Sequence, residues 1–427
     1  MKIIVINPIL FTHEKGVIPH VTTIKETMIY DLCLAYHRAG HAVTLIAAAD
    51  YAPEREETYD FEVVFLKSIG RKIFQPSVLP FLPGVWRYLQ QRKGDVDMVL
   101  ASETFSIPSL FASLVVPRKT VIWQELGAHN RKMKTWPSRI WYNIIARCFM
   151  RKAWIIPRSY VSQRFIRRYM PRVGAPIGHG VVVTLEKEMS NKKCQFLTVG
   201  RLFWEKNVIS VIRKFDAFLS KYPQYRDYIL YIAGDGVLRE EYDRQIKEMG
   251  RERQIVLLGK LPHKELFRYY RDSKASLFDS LRELNMLAIM ESVAMTTPVV
   301  TNRVPFDSEI VEKRKLGIAK NDWNEDDIAR MIERNDEYVE NCREYASLIT
   351  VDAVARRIID SFEKASKYIA DGKDSGYNVR YSKGNRDCIG RYRALYSRYR
   401  SFVVYRICKF CLSFPHASFF HDRWFFL

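Results

Sequence analysis

A chain of 427 residues with 48% apolar side chains is too long for one ordinary core and has enough to bury two Rossmann-sized domains plus an appendage. Its seven cysteines, Cys33, Cys148, Cys194, Cys342, Cys388, Cys408 and Cys411, are odd in number and scattered. The one C-x-x-C pair, Cys408-Cys411, lacks the second pair and the histidines of a zinc site, so reduced thiols and no metal are expected. A formal charge of +20 admits nucleic acid or an anionic lipid surface as partner, and the distribution of that charge matters more than its sum.

Met1-Lys2 opens onto an apolar run, Ile3 to Ile6, far too short for a signal segment or a membrane span, so a cytoplasmic protein is expected. Residues 2–7 read as a strand. Residues 22–38 place Ile24, Met28, Leu32 and Tyr36 at helical spacing, with Gly40 as a stop, and residues 41–47 read as a second buried strand. Further strands are predicted at 62–66, 97–101, 120–124, 153–156 and around Ile177, separated by stretches able to form helices. Alternation of this kind predicts a parallel sheet covered on both faces.

A polar stretch at 186–193 marks the predicted domain boundary. Beyond it strands at 196–200, 228–234, 254–258, 275–278 and 298–301 alternate with helices at 208–219, 238–249, 264–271 and 286–295, which predicts a second doubly wound sheet. A further helix at 351–369 shows Val354, Ile358, Phe362 and Ala365 on one face. The division is therefore 1–185, 186–350, a helix at 351–370, and a basic aromatic tail at 371–427.

In open parallel sheets a ligand lies beyond the carboxyl ends of the strands, so the loops of the second half are compared together. Gly200-Arg201-Leu202 followed by Glu205-Lys206-Asn207 offers a forked donor and a point charge, a pair suited to a diphosphate. Gly234-Asp235-Gly236 joins a strand to a helix, and Gly259-Lys260 ends the next strand, where a glycine lets backbone approach a flat base. Either glycine motif also describes a plain tight turn. Glu283 precedes Glu291 by eight residues, so the helix N-terminus at Asn285, Met286 and Leu287 falls between two carboxylates. Free amides there suit a diphosphate, and the carboxylates can accept hydroxyl hydrogen bonds. Glu291, set among Leu287, Ile289, Met290 and Val293, needs a partner.

These motifs, with Ile232-Ala233 before Gly234, Leu258 before Gly259, Ala294-Met295 and Pro298-Val299-Val300, resemble glycosyltransferase family 4 in order and separation. The resemblance covers residues 1–369 and is strongest over 196–302. It implies the GT-B fold, two Rossmann-like domains facing across a cleft, with a UDP- or GDP-linked sugar on the second, an acceptor mainly on the first, and residues 351–369 as the helix that crosses back. It also implies metal-independent transfer with retention of configuration. Arg201 and Lys206 would neutralise the departing diphosphate, Glu291 would hold the ribose, Glu283 would face the donor sugar, and His129 resembles the family's cleft histidine. Two departures stand out: Leu284-Asn285-Met286 replaces glycines usual after the first glutamate, and the loop at 8–19 contains only Gly16.

Residues 126–185 contain no Asp or Glu, while Arg139, Arg147, Arg151, Arg164 and Arg168 alternate with Trp136, Trp141, Phe149 and Phe165. Such faces suit an anionic membrane surface, and the tail repeats the recipe with Arg391, Arg398, Tyr392, Tyr399 and Trp424. A single-strand nucleic-acid groove has a similar composition but leaves the donor loops unexplained, so nucleic acid is not expected. The expectation is a retaining glycosyltransferase, peripheral on the inner face of the cell membrane, acting on a polysaccharide or lipid-linked acceptor as in lipopolysaccharide synthesis. A decayed transferase serving as scaffold, or a same-fold epimerase or phosphorylase, is the alternative.

Overall fold

Continuous β-branched and aliphatic runs form strands buried on both faces, and they assemble into two parallel sheets. The computed structural model describes residues 1–11, 21–71, 74–75, 77–129, 135–183 and 192–370. The strands are β1 (Lys2–Ile6), β2 (Ala42–Ala48), β3 (Glu62–Leu66), β4 (Met98–Ser102), β5 (Thr120–Gln124) and β6 (Trp154–Pro157), then β7 (Gln195–Val199), β8 (Ile229–Ala233), β9 (Ile255–Gly259), β10 (Ala275–Phe278), β11 (Val299–Thr301) and β12 (Gly317–Ala319). Their orders are β3-β2-β1-β4-β5-β6 and β12-β11-β10-β7-β8-β9, with every pairing parallel. Strand order therefore reverses between β1 and β4 and again between β7 and β10, which puts a crevice at the carboxyl ends of those pairs.

The helices of the first half are α1 (Met28–Arg38), α2 (Pro83–Arg92), α3 (Ile107–Val115), α4 (Thr135–Ile140), continued as a π-helix over Trp141–Met150, and α5 (Tyr160–Ile166). The second half has α6 (Val208–Lys221), α7 (Arg239–Glu248), α8 (His263–Asp272), α9 (Leu287–Ala294), α10 (Ser308–Lys313), α11 (Glu325–Glu333) and α12 (Asn335–Ile349). Last comes α13 (Val351–Ala370), which packs along α1, where Arg38 and Asp352 pair at 2.7 Å, and reaches Trp154, whose Nε1 donates to Ser361 Oγ at 2.9 Å.

Several sequence expectations are corrected. The helix predicted from residue 22 begins at Met28, because the Thr27 hydroxyl caps the Tyr30 N–H and the residues before it turn. No strand forms around Ile177. At Ile177 itself the chain is held by isolated bonds, Ile177 N–H to the Pro157 carbonyl at 2.8 Å and Trp123 Nε1 to the Ile177 carbonyl at 2.8 Å. The helix expected from Met286 starts at Leu287. Cys33, Cys148, Cys194 and Cys342 are unpaired. Cys388, Cys408, Cys411, the tail at 371–427, the boundary stretch at 186–191 and most of the loop at 8–19 lie outside the described residues. No helix among the described residues is long and apolar enough to cross a membrane.

Candidate active site

The loops leaving β7 and β8 lie flush on one another. The Gly200 N–H donates to the Ala233 carbonyl at 3.0 Å and the Leu202 N–H to the Asp235 carbonyl at 2.9 Å. Such close approach needs glycine: Gly234 has φ +142°, and a β-carbon there would overlap the Gly200 carbonyl, while one on Gly236 would lie 2.5 Å from the Leu202 oxygen. Arg201 is exposed on this platform, its guanidinium 5.5 Å from the Phe203 ring centre. A 3-10 turn, Trp204–Lys206, then folds the Lys206 methylenes back over Gly200, and Asn207, at φ +49°, starts α6.

The loop after β10 comes to the same place because the Leu281 N–H donates to the Glu205 carbonyl at 2.8 Å. Lys206 and Glu283 consequently form an ion pair, and both are mostly buried. Beneath them Asp279 accepts from Ser210 Oγ at 2.6 Å and Lys214 Nζ at 2.7 Å, which anchors α6 to β10. Glu291 is only 6% exposed, and the partner its setting demanded is the hydroxyl of wholly buried Tyr270, 3.1 Å away. Burial raises the Glu291 pKa, opposed by His263 and by the Tyr270 bond. Gly259, at φ +76°, accepts from the Gly234 N–H at 2.8 Å, and Lys260 beside it is exposed.

The structure brings Lys206 and Glu283 into contact. Arg201 is on the β7 loop and Glu291 lies within α9, and among the described residues neither is bonded to that pair. The Met286 amide, expected to be free for a diphosphate, donates instead to the Asp307 carboxylate. Leu284 and Leu287 present half-exposed side chains, and the Asn285 amide is buried.

His129 lies elsewhere. Its Nδ1 is 3.1 Å from Ser138 Oγ and its Nε2 is 3.2 Å from the Tyr169 hydroxyl, inside a box of Tyr142, Phe165 and Tyr169 rings. Burial, with Arg139 and Arg168 nearby, lowers its pKa. Both ring nitrogens are engaged within the first half, and the ring stays partly exposed. The first half meets the loop after β10 through Glu125, immediately after β5. Arg158 Nη1 lies 2.9 Å and His179 Nε2 3.7 Å from its carboxylate, and Arg158 stacks on Trp123 at 3.9 Å. Burial alone would raise the Glu125 pKa, but Arg158, His179 and the amide of Asn285 from the other half bring it down to about 2.

Two further carboxyls flank this group. Glu103, at φ +65°, accepts from the Glu125 N–H at 2.6 Å, and burial with the Glu125 charge raises its pKa to about 7. Asp307 is also raised to about 7, by burial first and then by the charges of Glu125 and Glu283. The halves touch where a β-carbon on Gly127 would meet Phe306 at 2.9 Å, and they are tied by Arg164 and Glu309 at 2.9 Å. Sequence reasoning missed Glu103, Glu125, Arg158, His179 and Asp307, since no motif or spacing links these five positions along the chain. Among the described residues no group of three or more His, Cys, Asp or Glu side chains is arranged to hold a metal.

Two doubly wound parallel sheets of identical strand order, in contact at their crevices, define a GT-B architecture. A glycosyltransferase from Rickettsia africae shares it with a TM-score of 0.58 at 14% identity, over 86% of this chain and 98% of that one. Residues 185–348 match the family described as Glycosyl transferases group 1. An uncharacterized glycosyltransferase of Methanocaldococcus jannaschii is 29% identical over 120 residues, 27% of this chain and 28% of the relative. The alpha-monoglucosyldiacylglycerol synthase of Streptococcus pneumoniae is 24% identical over 121 residues, 28% of this chain and 27% of the relative. The chain thus matches little more than a quarter of the length of either curated relative.

Proposed function

We propose that the protein moves a sugar from a UDP- or GDP-linked donor to a lipid-linked or polysaccharide acceptor, with retention of configuration and without a metal. The observation that carries this reading is the contact between Lys206 and Glu283 on the glycine platform. A lysine ammonium has three donors, so Lys206 can keep Glu283 and still face a phosphate, with exposed Arg201 beside it. As the anomeric C–O bond breaks, its electron pair goes to the diphosphate oxygen, the acceptor hydroxyl oxygen bonds to the same carbon, and the hydroxyl proton passes to the departing diphosphate. Fixed positive charge where that negative charge develops is a large catalytic term. In this scheme Glu283 holds a hydroxyl of the transferred sugar and Glu291 the ribose hydroxyls, while the backbone at Gly259 and Lys260 lies against the base.

The same proposal sets the reaction at the cytoplasmic face of a membrane. Trp136, Ile140 and Ile144 are 56%, 46% and 43% exposed at helical spacing, and Arg139, Arg147 and Arg151 flank them. An apolar stripe with cationic neighbours suits an anionic bilayer surface. A glycolipid synthase among the relatives supports a lipid acceptor.

Thermal shift against UDP, GDP, ADP and their sugars tests the core of the reading. Stabilisation should grow with the logarithm of donor concentration over its dissociation constant. A folded protein whose Tm moves with none of them would sink it.

A further inference from the structure

Asn285 leaves the β10 loop two residues after Glu283, and both polar atoms of its side chain are buried without a hydrogen-bond partner. Across from it Glu125 is gripped by Arg158 and His179, yet it keeps 28% of its side chain exposed. Arg158 Nε and His179 Nδ1 are likewise buried and unpartnered. The three residues nearest this carboxylate thus carry four buried polar atoms without a partner, and each bears the desolvation cost of an unmade bond. Asn285 lies near enough to help keep Glu125 ionised, but the two do not form a well-aligned hydrogen bond with each other.

The chemistry of the missing partner follows from what these groups offer. An amide presents a donor edge and an acceptor edge, and an ionised carboxylate only acceptors. Neighbouring hydroxyls, each able to donate and accept, satisfy both at once. A carboxylated or phosphorylated group would face the Glu125 charge. We propose that Glu125 and Asn285 together hold adjacent hydroxyls of a sugar ring across the boundary between the two halves. The inference rests on the sugar-transfer reading and adds a first-half contact to it. Such hydroxyls occur on the donor's sugar and on a glycan acceptor, and one experiment separates the two.

The test titrates UDP, UDP-glucose, GDP and GDP-mannose into the full chain by calorimetry, for wild type, Glu125→Gln and Asn285→Ala, and follows transfer kinetics with the donor that binds. If the donor's sugar is held, both variants weaken the nucleotide-sugar at least about tenfold and leave the bare nucleoside diphosphate within about twofold. If the acceptor is held, both donor constants stay and the acceptor KM rises at least about tenfold, with kcat little changed. Either result supports the pair. Constants all within about twofold of wild type overturn it, and so does equal weakening of UDP and UDP-glucose, the mark of a purely structural role. Should Glu125→Gln lower the Tm sharply, half-buried Asn285→Ala carries the test. A wild-type chain that binds no nucleotide removes the transfer reading instead, and shows itself before any substitution is made.

Discussion

A β-carbon on Gly234 would occupy the space of the Gly200 carbonyl oxygen, so two loops that begin 34 residues apart share one layer of backbone. Gly234 also holds φ at +142°, which penalises any side chain. Gly234→Ala is expected to destabilise the second half by about 2–4 kcal/mol and to abolish nucleotide binding. Gly94→Ala, where the added carbon meets nothing within 4 Å, should be near neutral. Chemical denaturation of both variants makes the comparison, and a Gly234→Ala protein as stable as wild type would contradict the packing described.

Lys206 and Glu283 meet although they are 77 positions apart. Lys206→Ala should cut kcat by about 100-fold or more, because a fixed charge at the leaving diphosphate is lost. Glu283→Gln should also lower kcat, while leaving binding of the bare nucleoside diphosphate nearly unchanged. Steady-state kinetics beside calorimetry with UDP or GDP separates these effects. Equal turnover in wild type and Lys206→Ala would remove Lys206 from the chemistry.

The buried carboxyls give stability a pH dependence of definite sign. Glu103 and Asp307 are raised to about 7 when folded, whereas free carboxyls titrate near about 4. Between those values the folded protein holds protons on these two groups that the unfolded chain has released, so their contribution to stability falls as pH rises from about 4 to about 7 and then levels. Glu103→Gln keeps an oxygen for the Glu125 N–H and removes the penalty. At pH 8 it should be more stable by about 2 kcal/mol, and at pH 4 indistinguishable from wild type. A gain that persists at pH 4 would assign the effect to packing.

Replacing the exposed stripe with Trp136→Ala, Ile140→Ser and Ile144→Ser should lower partition onto anionic vesicles at least about tenfold. Raising the salt should weaken the wild-type protein in the same assay, through screening of Arg139, Arg147 and Arg151. Unchanged sedimentation with vesicles would remove the membrane surface from the proposal.

The second half was largely legible because its signals are local. An apolar run such as Ala275–Phe278 reads as a buried strand, and Gly234-Asp235-Gly236 sits where a strand must hand over to a helix. Glu291 announced a partner through its apolar surroundings, but Tyr270 lies 21 positions earlier and only folding supplies it. His129 was conspicuous as a titratable residue after a strand, and the aromatic box that occupies it comes from Tyr142, Phe165 and Tyr169. Glu125 carried no spacing signature, since what makes it unusual is Arg158 and His179, 33 and 54 residues further along.

Val181 exchanges backbone hydrogen bonds with both sides of Thr350, at 2.8 Å to Ile349 and 3.1 Å from Val351, and Gly180 is bare so that Val351 can sit against it. The chain's outward and return passages are thereby riveted side by side. Clasped in this way, the two crossings act as one connection between the halves rather than as two independent links.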